Sequence, residues 1–83
     1  MKHAREDYNR IQDPENIIPE DEPVFLIRGQ DPAAPNAVRE YANQAAKQGA
    51  SDAMIGACIR QATAMEQWQA EHPSTVHTPD MPT

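Results

Sequence analysis

The sequence predicts a small, mostly α-helical fold: a short N-terminal helix, an apolar connector and an antiparallel helical hairpin, assembled as an oligomer. Three observations predict it. Residues 33–48 and 52–71 carry apolar side chains at helical spacing. The short Gly49-Ala50-Ser51 link turns those two helices back on each other. The core inventory is thin, with one Phe, one Trp and two Tyr in 83 residues, and small domains bury a smaller share of their surface. Small scaffolds add a disulfide, a metal or self-association. The single Cys58 closes no internal disulfide, and His3, His72 and His77 are scattered without zinc-ligand spacing. Self-association is left, so a homo-oligomer is expected.

Taken in order, residues 1–12 form a short helical candidate with Ala4, Tyr8 and Ile11 on one stripe. Asp13-Pro14 ends it, because the residue before a proline is pushed out of the α region. Residues 13–23 form an acidic loop with Pro14, Pro19 and Pro23, and seven of the thirteen acidic residues lie in the first 22 positions. Val24-Phe25-Leu26-Ile27 is the one run of large apolar residues and calls for burial. Its propensity is that of a strand, whereas Pro23 before it and Gly29 after Arg28 suit a single helical turn. No second strand is evident within the chain, so a strand here would pair across a dimer axis; a short helix or extended packing segment is preferred.

The helix over 33–48 begins with Asp31 or Asn36 as cap and Pro32 or Pro35 in its first turn, and puts Ala34, Val38, Tyr41, Ala42 and Ala45 on one face. Gly49 stops it with a left-handed cap. Ser51 caps the second helix, whose core stripe is Ile55, Cys58, Ile59, Ala62 and Met65, with Met54 and Trp68 on the flank. Residues 1–73 form the single domain. The tail over 74–83 has Pro79 and Pro82, no periodicity and no expected fixed structure.

The net charge of −6 argues against nonspecific binding to nucleic acid or an anionic membrane. No apolar stretch spans a bilayer, and the first seven residues lack a signal-peptide core, so a cytoplasmic setting is expected. The pattern offers no nucleophile–base signature and no glycine-rich phosphate loop, and Cys58 sits mid-stripe as a small buried hydrophobe. The expectation is a non-enzyme without cofactor or metal.

Two binding chemistries fit the residues. Tyr8 stacks on a base, Arg10, Arg28 and Arg60 meet phosphates, and Gln30 and Asp31 hydrogen-bond base or ribose, which suits a small nucleotide-type ligand held between subunits. The same residues are ordinary surface composition, and Arg28 and Asp31 can pair across a turn. Alternatively Glu20, Asp21 and Glu22 dock on a basic groove of a host protein, or merely keep a small protein soluble.

Tyr8-Asn9-Arg10-Ile11-Gln12-Asp13-Pro14, Ile18 through Asp31, Val38-Arg39-Glu40-Tyr41-Ala42 and Met65-Glu66-Gln67-Trp68-Gln69 together resemble a group of short phage and prophage reading frames. The resemblance covers about residues 8–70. It implies a small protein of an infected bacterium acting in counter-defence: first a sponge that sequesters a host nucleotide signal, alternatively an anti-CRISPR-like inhibitor of a defence complex, and third a structural or regulatory phage protein.

Overall fold

A computed structural model of the chain describes residues 2–10 and 13–81, with the side chains at 9 and 10 outside the description. The chain divides into two compact units, Met1–Ile27 with Asp80–Thr83, and Arg28–Pro79.

The first unit holds two short parallel strands, β1 (Lys2–His3) and β2 (Pro23–Val24), with Lys2 opposite Pro23 and His3 opposite Val24. The Lys2 N–H donates to the Glu22 carbonyl at 2.9 Å. An intramolecular partner for the apolar segment therefore exists, contrary to the sequence expectation. Two-residue strands have no period to detect. The expected helix over 1–12 is a five-residue 3₁₀ helix, Glu6–Arg10, because a segment this short does not sustain an α-helical nucleus; its end at 11–12 lies outside the described residues. After it, the Asp13 carboxylate accepts the N–H groups of Ile17 and Ile18 at 3.3 and 3.0 Å, and Asn16 takes a left-handed φ of 53° that asparagine tolerates in turns. Burial of the apolar run is incomplete: Val24, Leu26 and Ile27 are half-buried, but Phe25 is 75% exposed.

The second unit is the helical hairpin, α1 (Ala34–Lys47) and α2 (Asp52–Glu71). The turn between them is built as expected. Gly49, at φ 87°, donates to the Ala46 carbonyl, and Ala50 donates to the Ala45 carbonyl at 2.9 Å, which is a Schellman closure of α1. The Ser51 hydroxyl then accepts the Met54 N–H at 3.1 Å and opens α2. At the start of α1 the cap is Ala33 rather than Asp31 or Asn36. Asp31 acts one step earlier: its carboxylate accepts the Ala33 N–H at 2.9 Å and its carbonyl accepts that of Ala34. Pro35 sits in the first turn.

The seam between the helices buries Ala34, Ala42, Cys58, Ala62 and Met65, and among the described residues no large side chain is fully buried. Ile59, expected in the stripe, is half exposed because it lies further round α2 than Cys58 and Ala62. Polar contacts supplement this thin seam. The Gln69 side-chain amide donates to the carbonyls of both Gly29 and Asp31 at 2.8 Å, pinning the turn before α1 onto the last third of α2. A Cβ at Gly29 would lie 3.7 Å from Met65 Cγ, so backbone and thioether are close neighbours there. Across the helices Arg39 pairs with Glu66. Past α2, Pro73–Thr75 makes a 3₁₀ turn and the His77 N–H donates to the Gln30 carbonyl at 3.0 Å.

Gln69→Ala removes two hydrogen bonds and strands two carbonyls. It is expected to cost about 1–2 kcal/mol, read in a thermal melt as a fall of roughly 5–15 °C for a domain of this size.

The hydrogen bond from Arg39 holds the Glu66 carboxyl below its ordinary pKa, and hydrogen bonds from Gln44 and Asn43 do the same for Glu40. A depressed carboxylate stabilises the fold above its ordinary pKa and loses that contribution as pH falls through the lowered value. Stability is therefore expected to decline on the acid side, and Glu66→Gln to flatten part of that decline in melts recorded as a function of pH.

Candidate functional site

In the first unit, the guanidinium of Arg5 grips Asp7 through two nitrogens at 3.0 and 2.6 Å. The same guanidinium lies over the Tyr8 ring, 4.8 Å from its centroid, and His3 meets that ring edge-on at 6.4 Å. The hydrogen bond to Asp7 raises the Arg5 pKa further, so the cation on Tyr8 is permanent. One face of Tyr8 thus already carries a cation. Arg10 is placed in the 3₁₀ helix by its backbone; its side chain lies outside the described ones. Glu20, Asp21 and Glu22 are all exposed. Close to them in sequence, Ile17 is 74% exposed, and Phe25 borders a depression of about 390 Å³ that Lys2, His3 and Val24 also line.

In the second unit, the turn brings Arg28, Gln30 and Asp31 together. The Asp31 N–H donates to the Arg28 carbonyl at 3.0 Å, the Asp31 carboxylate serves the start of α1, and the Gln30 carbonyl serves His77. Arg28 is exposed and takes part in neither of the two ion pairs found among the described residues, Arg5–Asp7 and Arg39–Glu66. Arg60 does not share that surface. At 100° per residue it projects from α2 about 140° away from Met65, which faces the turn. A Cβ at Gly56 would lie 3.1 Å from Arg60 Nη1, so the guanidinium folds back along the helix over that glycine.

A further depression of about 530 Å³ lies at the turn end of the hairpin, lined by Tyr41, Gln44, Ala45, Gln48, Gly49 and Ala50. None of these stood among the residues assigned to a site from sequence. Tyr41 read as a core residue because it shares the helical period of Val38 and Ala42, yet it is 50% exposed. The available signal was its place at the edge of that stripe beside two glutamines. At the other end of α2, Trp68 and His72 stack at 4.2 Å with an interplanar angle of 16°, and His72 Nδ1 lies 2.9 Å from the Trp68 carbonyl.

Cys58 is buried in the hairpin seam as a free thiol. Among the described residues no three His, Cys, Asp or Glu side chains are grouped to hold a metal ion, and no helix is long and apolar enough to cross a membrane. No family model matches the chain, and neither a curated protein nor a solved structure matches it at a significant level.

Cys58→Ala is expected to keep the fold and any binding activity with a loss of about 1 kcal/mol, in the range of small core truncations. Denaturant titration measures the loss. A thiol reagent should label the native wild type much more slowly than the unfolded chain.

Proposed function

We propose that the protein is a noncatalytic binding protein that works as a homo-oligomer and docks its acidic first unit on a basic groove of a partner protein. One observation carries this reading: Glu20, Asp21 and Glu22 are all exposed, and the flanking Ile17 and Phe25 are three-quarters exposed as well. Large apolar side chains left in water beside a run of carboxylates form the two parts of a docking surface. The aromatic and aliphatic anchors supply affinity once desolvated, and the charges supply steering and orientation. The counter-defence setting, in a cytoplasm under infection, rests on the resemblance of residues 8–70 to short phage reading frames.

A second reading is sequestration of a small nucleotide-type ligand. What favours it is Arg28, exposed at the rim of a turn that Gln69 pins at two points, so that a phosphate contact there orders little that is not already ordered. Tyr8, Arg10, Gln30, Asp31 and Arg60 complete the set this reading uses.

The two readings separate in one set of variants. Phe25→Ala and the combined reversal of Glu20, Asp21 and Glu22 to lysine are expected to abolish rescue of phage plating on a defence-carrying host while leaving the melting temperature within a few degrees. Rescue at the wild-type level by both variants would end the docking reading. Calorimetric binding of a cyclic or ADP-ribose-type nucleotide that Arg28→Ala weakens at least tenfold would put the nucleotide reading in its place.

A further inference from the structure

We infer that the charge-poor face of the helical hairpin, the one that holds Tyr41 and Trp68, is the surface through which two copies of this chain meet. The inference deepens the homo-oligomer reading above, and its experiment separates the fate of the two.

On α2, Met54, Ala57, Gln61, Ala64 and Trp68 recur at alternating steps of three and four and so form one stripe along the helix. All five are exposed, Met54 to 44% and Trp68 to 38%. Tyr41 and Gln44 on α1, with Gln48 at its C-cap, form a second exposed stripe. The two stripes share a face. In an antiparallel pair, residues rotated the same way from the seam lie on the same side, and the Arg39–Glu66 ion pair shows which way leads to the opposite edge. Tyr41 on α1 and the Met54–Trp68 stripe on α2 are both rotated the other way.

The charges of the hairpin follow the same division. α1 carries three charged residues and α2 carries four. At 100° per residue, Arg39, Asp52 and Glu66 lie on the opposite face and Lys47 and Arg60 point away from the seam; Glu71, three residues after Trp68, ends the stripe, and Glu40 lies at the α1 edge, where Gln44 donates a hydrogen bond to it. Each copy carries a net charge of −6, so two copies repel wherever their charged sides meet. The face with the fewest charges is where they approach at the least electrostatic cost.

The face is also self-complementary, as a two-fold contact requires. Gln61 lies midway between Met54 and Trp68, seven residues from each. When two α2 helices cross antiparallel about Gln61, the Trp68 of each copy falls over the Met54 of the other, an aromatic–thioether contact. Ala57 and Ala64 let the helix backbones come close. The two Gln61 amides meet at the axis, where each has a donor and an acceptor for the other. Helices about 21 and 30 Å long, set side by side about 10 Å apart, offer roughly 500–600 Å² per copy. The total of about 1,000–1,200 Å² lies at the lower bound for a specific dimer and fits association in the micromolar range.

The experiment is sedimentation equilibrium of the full chain from about one to a hundred micromolar, with the emission of the single tryptophan followed on dilution. The wild type is expected to be a dimer that dissociates across this range, with Trp68 emission moving to the red as it does. Ala57→Glu and Gln61→Lys, which change net charge in opposite directions, should each weaken the dimer at least tenfold. Thr63→Glu, on the opposite side of α2, should leave it unchanged, and circular dichroism should show the same helicity throughout. A monomeric wild type across the range would overturn both this surface and the homo-oligomer reading. An oligomeric wild type that neither face variant weakens would overturn the surface alone.

Discussion

The hairpin unit depends on the Gln69 side-chain amide. Its two N–H groups reach the carbonyls of Gly29 and Asp31, about forty residues earlier in the chain. Those carbonyls belong to the turn whose last residue, Asp31, sets the first amides of α1 through both its carboxylate and its carbonyl. One side chain near the end of α2 therefore fixes where α1 begins. The Schellman turn at Gly49 fixes where α1 ends, and Ser51 where α2 begins. With both ends held, the alanine seam between them has a single register to occupy.

That arrangement explains how so little apolar burial is enough to define a hairpin. Alanine seams bring helices close but remove little area from water for each residue. The core residues here are mostly alanine with one cysteine and one methionine. Local closures compensate: a helix cap, a Schellman motif, an Asx-type turn and a cross-helix ion pair each add a small and largely independent increment. The larger apolar side chains, Tyr41, Met54, Phe25 and Trp68, are left partly in water. These exposed side chains fall in both units: Phe25 in the first, and Tyr41, Met54 and Trp68 in the hairpin.

The distribution of arginines bears on the two binding readings. Arg5 and Arg39 are committed to carboxylates and Arg60 folds over Gly56, which leaves Arg28 as the arginine best placed to meet an anion in the second unit. A phosphate site built by several converging arginines would need the partner copy to supply the others. An acidic docking surface has no such requirement, because Glu20, Asp21 and Glu22 are contiguous in the chain.

Both long helices, their link and the cap at Ser51 were legible in the sequence because each depends on neighbours within one or two turns: periodicity over 33–48 and 52–71, glycine where φ is positive, serine where an amide needs an acceptor. The short strand pair was not legible, since Lys2 and Pro23 are joined by a contact across the chain and two residues carry no pattern. The cap of α1 was misplaced by two residues because Asp31 can serve the helix start from its carbonyl as well as its carboxylate, a choice made by the turn that Gln69 holds. Tyr41 and Ile59 were placed in the core on the strength of period alone. A helical period states which residues share a face, but the position of the second helix decides where that face stops being buried. The sequence by itself determined the elements, because local hydrogen bonding and backbone geometry set them. Only the tertiary structure decided which side of each helix meets its neighbour, and so which side chains remain in water.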